Sequence, residues 1–499
     1  MSGDDDHTPR HLARRRGGRD RRRGTAPPWL APALAGLVAV AAAASAVLLS
    51  RDEAAEAVGI DQVPATPVLS ARRAPEAIAA PVADRRLADE LRGWLTNSPD
   101  DACLVVASEG RDAFEHNPLV PLAGASTQKL LTVTGLLLAL GPDATFRTEV
   151  LTEGPPDAGV VAGDLYLVGG GPADLGTSDW PEMSPGTRQR VVHDIDELVD
   201  AIAAAGVTRV EGSVVGDGSR YDDDRYNDAL PQRLIDQDQV GPVGGLMVND
   251  GFARFSPARS NAATVPAGDP AADAARVLTE RLVAGGISVA GAPRAGEAPP
   301  GAGPLAGIDS PPVAQLVAEM LTTSDNEASE VALKEIGVAT GGEGSWPAGA
   351  AALNRLLGEA GVPLDGLEVV DGSGLTIENR LTCRALVDVL TLAPSGETVR
   401  DGLAVAGETG TLAERWLGTD VAGRLRAKTG TLRNVAALAG EIEPLQGGSV
   451  TFAYVANVDD PGEVTPEEVG LDELAHILLA HPRGIDMAAL LPEPAVPAG

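Results

Sequence analysis

The hydrophobic positions along this chain change their spacing several times, and each change predicts a different kind of element. Residues 29–49 carry no charge at all, which predicts a helix long enough to cross a lipid bilayer. From Arg85 the apolar residues recur at helical spacing, and the apolar run Cys103–Ser108 indicates a buried strand. A second, strongly apolar helix is predicted at about 121–141. The first third of the chain therefore contains a membrane-crossing candidate followed by the start of an α/β domain.

The middle of the chain has a different pattern. Residues 150–305 contain short apolar runs broken by Gly, Pro and Asp, which is typical of short strands and predicts one or two small β-rich inserted domains. From Ser310 helices alternate with strands again. The chain is thus predicted to be an α/β protein whose catalytic domain, 85–149 and 306–482, is discontinuous in sequence.

The N-terminal residues predict where the protein lies in the cell. Residues 1–28 are rich in arginine, and the positive-inside rule places them in the cytoplasm, with 29–49 as a single transmembrane anchor. The catalytic domain would then lie outside the membrane, at the end of an Ala- and Pro-rich linker, 50–84. A cleaved signal peptide, with small residues at 44–46 as the cleavage site, is the alternative, and it would release a secreted protein. The Pro-containing residues 483–499 predict a disordered tail.

Composition excludes two classes of function. A formal net charge of -32 argues against nucleic acid as a partner. The two cysteines and six histidines show no metal-ligand spacing, so no metal site is expected. Cys103 and Cys383 can form a disulfide outside the cytoplasm, or they can remain two separate buried thiols. The sequence leaves both alternatives open.

Lysine is rare in this chain, which makes each lysine informative. Of 39 basic residues only three are lysine, namely Lys129, Lys334 and Lys428. An arginine cannot give up its proton near neutral pH, whereas a desolvated lysine can. Lys334 lies in a charge-mixed helical segment that predicts no special role. The other two each lie within a short run of hydroxyl residues.

Three short motifs occur in order along the chain. They are Ser126-Thr127-Gln128-Lys129, Ser324-Asp325-Asn326 and Lys428-Thr429-Gly430-Thr431. Taken singly, each has an ordinary structural explanation: a helix N-cap, a turn and a hairpin-like strand. Taken together, they match the S-x-x-K, S-D-N and K-T-G signature of penicillin-binding proteins and class A β-lactamases.

The spacing of the motifs resembles one branch of that superfamily. The 198 residues from Ser126 to Ser324 leave room for a large insertion, whereas 104 residues separate Ser324 from Lys428. This arrangement resembles the low-molecular-mass class C penicillin-binding proteins, the D-alanyl-D-alanine carboxypeptidase/endopeptidase family. Further similar stretches are PLAGASTQKLLT, GDLYLVGGGPADL, VDGSGLTIENRLT and VAGETGTLAERWLGTDVAGRLRAKTGT. The resemblance covers about residues 85–480.

The resemblance implies a fold and a function. The fold would be a penicillin-binding/β-lactamase-like transpeptidase domain, an antiparallel sheet flanked by helices. The function would be D-Ala-D-Ala carboxypeptidase activity, with or without DD-endopeptidase activity, on peptidoglycan stem peptides. β-Lactams would act as covalent inhibitors, and no cofactor is implied. The alternatives are a β-lactamase or esterase on the same scaffold and a catalytically silent peptidoglycan-binding protein.

The resemblance also implies roles for the residues of the three motifs. Ser126 would be the nucleophile and Lys129 its base, and backbone N–H groups of Ser126 and Thr431 would form an oxyanion hole. The implied catalytic set is Ser126, Lys129, Ser324, Asn326 and Lys428, and the implied substrate-binding set is Thr429, Gly430 and Thr431. Asp371 and Ser373, in a D-G-S-G run, predict a structural turn beside the cleft and stay outside the catalytic set.

Overall fold

A computed structural model of the chain describes residues 74–482, except 172–174, 179, 181–192, 255–264, 460–464 and 466–468. The predicted cytoplasmic segment, transmembrane anchor and C-terminal tail lie outside the described residues. Across the part of the chain that is described, no helix combines the length and apolar character needed to cross a membrane.

The strands are short in the middle of the chain and longer towards both ends. They are β1 Asp101–Ser108, β2 Arg111–His116, β3 Arg147–Thr152, β4 Val160–Val161, β5 Leu165–Val168, β6 Leu175–Gly176, β7 His193–Asp194, β8 Arg209–Val210, β9 Val214–Asp217, β10 Phe252–Arg254, β11 Val265–Pro266, β12 Ser288–Val289, β13 Arg294–Ala295, β14 Gly303–Asp309, β15 Ala404–Val405, β16 Leu425–Leu432, β17 Val435–Ile442 and β18 Val450–Asn457. The helices are α1 Ala74–Leu95, α2 Gln128–Leu140, α3 Asp196–Ala204, α4 Gln232–Ile235, α5 Pro270–Ala284, α6 Val313–Thr323, α7 Asn326–Ala339, α8 Trp346–Glu359, α9 Cys383–Thr391, α10 Ser395–Asp401 and α11 Leu471–Leu479.

The main sheet joins the two ends of the described chain. Its strand order is β15-β16-β17-β18-β1-β2, and every neighbouring pair is antiparallel. Alternate residues of β1 enter two different cores, because side chains alternate between the faces of a strand. Cys103 and Val105 pack with helices α2 and α9, whereas Leu104 and Val106 pack with α1 and α11. The sheet is therefore the middle layer of a three-layered domain.

Helix α2 lies in the interior of this domain. All its residues from Gln128 to Leu137 are buried. A helix that is apolar on every side is stable only when neighbours surround it. This burial fixes the position of the turn that precedes α2.

The inserted residues build a second core around a mixed sheet. Its strand order is β13-β9-β5-β3-β14. Strands β3 and β14 pair with each other, and through them the chain enters the insertion and returns to the catalytic domain. The sequence predicts a β-rich insertion, and the structure adds two well-formed helices, α3 and α5, against this sheet. Helix α5 begins where the Asp269 carboxylate accepts hydrogen bonds from the N–H groups of Ala271 and Ala272.

The C-terminal part of the predicted linker is helical. Helix α1 begins at Ala74, so residues 74–84 belong to this helix. Alanine-rich sequence favours a helix. Ala83 is buried and lies four residues before the buried Leu87, so it belongs to the same apolar face, which continues to Leu91. The apolar face of α1 thus begins before Arg85, the residue from which the sequence first shows helical spacing.

The two cysteines form a disulfide. Cys103 on β1 and Cys383 at the start of α9 are bonded, with their Cα atoms 5.9 Å apart. Of the two alternatives that the sequence left open, the structure has the bonded one. The bond fastens the central sheet to one of the helices that cover it.

Candidate active site

Ser126 lies in a tight turn that feeds directly into α2. The turn Ala125–Thr127 is a single 3-10 turn, and Ala125 has the unusual φ of 47°. Two glycines let other backbone segments approach this turn closely. A Cβ on Gly430 would lie 2.5 Å from the Gly124 carbonyl oxygen, and a Cβ on Gly374 would lie 1.9 Å from that of Ala125. Strand β16 and the D-G-S-G turn therefore hold the turn that bears Ser126 from two sides.

Lys129 follows one helical turn after Ser126 and is fully buried. Its Nζ lies 3.2 Å from Ser126 Oγ, 2.7 Å from Asn326 Oδ1 and 2.7 Å from the Ser373 carbonyl oxygen. Burial lowers the pKa of Lys129 to about 8, although the nearby acids, Glu330 and Asp371 first, act in the opposite direction. A large fraction of the Lys129 amines is therefore deprotonated at mildly alkaline pH.

The Ser-Asp-Asn motif forms the junction between helices α6 and α7. Ser324 ends α6 in the left-handed conformation, at φ 65° and ψ 40°. The Asp325 carboxylate caps α7 by accepting a hydrogen bond from the Ala328 N–H. The sharp turn places Asn326 at the start of α7, with its amide facing Lys129. Asn326 Nδ2 donates in turn to the Gln239 carbonyl oxygen of the insertion, at 2.7 Å.

Lys428 brings the third motif to the same place. It is buried on β16, and its Nζ donates to Ser324 Oγ at 2.9 Å and to the Thr429 carbonyl oxygen at 3.0 Å. Burial lowers the pKa of Lys428 well below its usual value, and the charge of Lys129 lowers it further. The two lysines are thus close enough to influence each other's protonation.

The remaining motif residues lie along β16 beside the turn that bears Ser126. Thr429 Oγ1 donates to Thr411 Oγ1 at 3.2 Å, and Thr431 is exposed. Strand β15 pairs with β16 only at Arg426 and Ala427, so among the described residues no strand covers the following part of β16 on that side. Backbone groups along this stretch are available to an extended ligand.

Two buried acids lie beneath the site, Asp371 of the D-G-S-G run and Glu330, which belongs to no motif. The Glu330 carboxylate accepts hydrogen bonds from the N–H groups of Gly372 and Ser373 and from Trp346 Nε1. The Asp371 carboxylate accepts from Gly374 N, Thr376 N and Asn379 Nδ2. Burial, followed by the charge of Glu330, raises the pKa of Asp371 to about 7. These contacts fix the D-G-S-G turn, whose Ser373 carbonyl oxygen then faces Lys129.

The predicted residues meet in two hydrogen-bonded groups. Ser126, Lys129 and Asn326 form one, and Ser324 with Lys428 forms the other. Sequence reasoning missed the Ser373 and Gln239 carbonyl groups, the Thr411 hydroxyl and Glu330. A backbone carbonyl has no residue-type signature, but an acid four residues after Asn326 on the apolar side of α7 is a signal that could have been used. No group of three or more His, Cys, Asp or Glu side chains in the described ranges could hold a metal ion.

Comparison with known proteins places this geometry in context. The family model described as D-Ala-D-Ala carboxypeptidase 3 (S13) family matches residues 101–266 and 256–476. The chain is 32% identical to carboxypeptidase DacB of Mycolicibacterium smegmatis, over 89% of this chain and 95% of that protein. It is 28% identical to the D-alanyl-D-alanine carboxypeptidase of an Actinomadura species, over 78% of this chain and 82% of that protein.

Solved structures show a similar fold. Penicillin binding protein 4 from Haemophilus influenzae superposes with a TM-score of 0.65 at 19% identity, over 78% of this chain and 99% of that one. A complex of that protein with a β-lactam gives a TM-score of 0.59 at 18% identity, over 78% of this chain and 97% of that one. At this level of identity the likeness concerns the mixed α/β fold alone.

Proposed function

This chain belongs to the D-Ala-D-Ala carboxypeptidase 3 (S13) family, and from this premise we propose that Ser126 is its acylating nucleophile and Lys129 the base that activates it. The protein is a serine-type D-Ala-D-Ala carboxypeptidase, a penicillin-binding hydrolase of peptidoglycan peptides. The observation that carries the assignment of roles is the hydrogen bonding of the buried Lys129 amine.

The three neighbours of Lys129 determine where its lone pair points. The Asn326 Oδ1 and Ser373 carbonyl oxygens can only accept hydrogen bonds, so they take both N–H groups of the neutral amine. The lone pair is then left for the third neighbour, the Ser126 hydroxyl. Deprotonated Lys129 is therefore oriented to receive the Ser126 proton.

Acylation follows from this arrangement. Ser126 Oγ bonds to the carbonyl carbon of the penultimate D-Ala while its proton passes to Lys129 Nζ, and the carbonyl π electrons move onto oxygen. The N–H groups of Ser126 and Thr431 stabilise that oxyanion. When the intermediate collapses, the C–N bond breaks and the leaving amine takes the Ser324 hydroxyl proton. Lys428 gives Ser324 a new proton across the 2.9 Å contact, and the proton that Lys129 took from Ser126 then passes to Lys428. Lys129 is thereby neutral again before deacylation.

Deacylation uses the same base. A water molecule gives a proton to Lys129 as its oxygen bonds to the acyl carbon. The ester C–O bond then breaks, and Ser126 Oγ recovers a proton from Lys129. The products are the shortened peptide and free D-Ala, with the enzyme regenerated.

Strand β16 and its surroundings supply the binding site for the terminal carboxylate. Lys428 provides positive charge, and the exposed Thr431 hydroxyl is a donor beside it. Thr429 becomes a second donor when Thr411 donates to its hydroxyl oxygen instead of accepting from it. Gly430 leaves space where the strand meets the turn that bears Ser126. A peptide that ends in D-Ala-D-Ala would lie along this uncovered stretch of β16 with its carboxylate at these groups.

The decisive experiment combines covalent labelling with a substrate assay. The full-length protein is incubated with a labelled penicillin, the adduct is mapped by mass spectrometry, and D-Ala release from a stem peptide is measured. We expect the label on Ser126, with no label and no release in Ser126→Ala. A label on another residue of active protein would disprove the assignment. Rapid loss of the adduct would favour the β-lactamase alternative, and a cross-linked dipeptide substrate tests for endopeptidase activity.

We also propose that the catalytic domain is tethered outside the membrane by residues 29–49. The support is the uncharged length of this segment and the arginine-rich residues before it. Mass spectrometry of the protein from membrane fractions distinguishes the two sequence-based alternatives. A retained N-terminus supports the anchor, and a new N-terminus after residues 44–46 contradicts it.

A further inference from the structure

Part of the insertion crosses over the catalytic domain beside the active site. We call residues 220–241 the crossing segment. Asn227 Nδ2 donates to the Val370 carbonyl oxygen at 2.8 Å. The segment also buries apolar side chains, Leu230, Leu234 and Val240, against Leu375 of the catalytic domain. The crossing segment is therefore packed against the loop that contains the D-G-S-G turn.

Two buried acids on α7 bind the two ends of the crossing segment. Glu335 accepts hydrogen bonds from Arg220 and from the Tyr221 hydroxyl at one end. Glu327 accepts from the Gly241 N–H at 2.8 Å at the other end. The acids are eight residues apart, about 12 Å along a helix. Only Glu327 adjoins Asn326, so only one of these attachments lies at the active site.

The Asn326 amide needs a defined orientation for its contacts. Its oxygen faces the Lys129 amine, so its NH₂ group points the other way and requires an acceptor. The Gln239 carbonyl oxygen, 2.7 Å away, is that acceptor. One amide N–H remains for a ligand in the cleft. Without this acceptor, the contact with Lys129 alone would distinguish the two orientations of the amide.

We propose that the insertion completes the active site: the Gln239 carbonyl group fixes the Asn326 amide, and Glu327 is the positioning residue that holds this carbonyl group through the Gly241 N–H. The proposal rests on the proposed function, because it assumes that Asn326 and Lys129 serve acylation. It assigns the insertion a role in the reaction itself, in addition to any role in binding peptidoglycan.

The surroundings of Glu327 explain which substitution should preserve this role. Burial raises the pKa of Glu327 well above its usual value, and the charges of Asp250 and Asp325 raise it further. The protonated acid is therefore favoured more than usual, and in this form too its carbonyl oxygen accepts from the Gly241 N–H. Glutamine has the same size and the same acceptor, whereas leucine has neither a charge nor an acceptor.

The test compares matched variants of the two acids in the full-length protein. Glu327→Leu removes the attachment at the active site, Glu335→Leu removes the distant one, and Glu327→Gln retains the acceptor. For each protein the number of active sites is titrated with a labelled penicillin, and the acylation rate constant is then measured per titrated site. Partial unfolding lowers the titre, but it does not lower the rate constant of the molecules that remain folded.

We expect Glu327→Leu to acylate at least about tenfold more slowly per titrated site, since misplacement of a catalytic group by about 1 Å can cost about 100-fold. Glu327→Gln and Glu335→Leu should acylate like the wild type, although Glu335→Leu should melt at a lower temperature. An unchanged rate constant in Glu327→Leu would overturn the proposal, as would equal slowing in Glu335→Leu.

A second variant keeps the test decisive if Glu327→Leu does not fold. A Cβ on Gly241 would lie 2.3 Å from the Asp250 carbonyl oxygen, so Gly241→Ala must displace the crossing segment from the insertion side. Slow acylation in Gly241→Ala supports the proposal, and wild-type acylation overturns it. Failure of the proposed function is recognised separately, because the wild-type protein would then carry no penicillin on Ser126.

Discussion

The pH dependence of acylation tests the role of Lys129 directly. Burial lowers the pKa of Lys129 to about 8, and only the deprotonated amine is able to take the Ser126 proton. The fraction of neutral amine is about one in a hundred at pH 6, about one in ten at pH 7 and about one half at pH 8. We therefore expect the acylation rate constant to rise about tenfold from pH 6 to pH 7 and to level off above pH 9.

Two other groups bear on the shape of this profile. Asp371, whose pKa is raised to about 7, becomes negative within the same range, and its charge raises the pKa of Lys129. The midpoint near pH 8 is thus expected for the site with Asp371 ionised. The pKa of Lys428 is also lowered well below the usual lysine value, by burial and by the charge of Lys129, so the profile has to be compared with that of a Lys129 variant.

The assay is stopped-flow acylation by a penicillin whose own charge is constant between pH 6 and pH 10. Lys129→Arg is the matched variant, because it keeps a positive charge that cannot be given up near neutral pH. It should acylate at least about a hundredfold more slowly, the lower range for loss of a general base, and without a rise below pH 9. A wild-type rate constant that is flat from pH 6 to pH 9 would refute the assignment of Lys129 as the base.

Three further predictions follow from the packing around the site. Gly374→Ala should abolish acylation, because the added Cβ would lie 1.9 Å from the Ala125 carbonyl oxygen. Gly286→Ala is its control: Gly286 has a φ of 89°, similar to the 84° of Gly374, but no atom lies within 4 Å of the added Cβ. This control should lower the melting temperature and leave acylation intact. Thr411→Val removes the hydroxyl that contacts Thr429, so it should raise KM for peptides with a free terminal carboxylate more than it lowers kcat, and an unchanged KM would contradict this. Replacing Cys103 and Cys383 together by alanine should lower the free energy of unfolding by roughly 2–5 kcal/mol in denaturant titrations, because the bond closes a loop of 280 residues, and unchanged stability would contradict this.

The local part of the site could be predicted from the sequence. Ser126 and Lys129 are three residues apart at the start of a helix, a spacing that places both side chains on one face whatever the rest of the fold does. The scarcity of lysine added weight to Lys129 and Lys428, because arginine could not replace a base. The capping role of Asp325 and the apolar runs of β1 and α2 follow from local rules of the same kind.

The long-range part could not be predicted in this way. The Gln239 carbonyl oxygen meets Asn326 across 87 residues, and the Ser373 carbonyl oxygen meets Lys129 across 244. Both contacts use backbone atoms, which every residue type provides. The disulfide shows the same limit, since pairing depends on the distance between two elements that only the folded chain brings together.

The buried acids account for the difference between the two active-site lysines. Both amines are fully buried, and burial alone disfavours the charged form of each. Lys129 has Glu330 and Asp371 nearby, and their charges oppose the effect of burial and hold its pKa at about 8. The pKa of Lys428 is instead lowered both by burial and by the positive charge of Lys129. A base works best when its pKa lies near the pH of the reaction, because it must both take up and return a proton. The two acids beneath the D-G-S-G turn thus serve two ends: they position the Ser373 carbonyl group against Lys129, and they oppose the effect of burial on the pKa of this lysine, so that both of its protonation states are populated near pH 8.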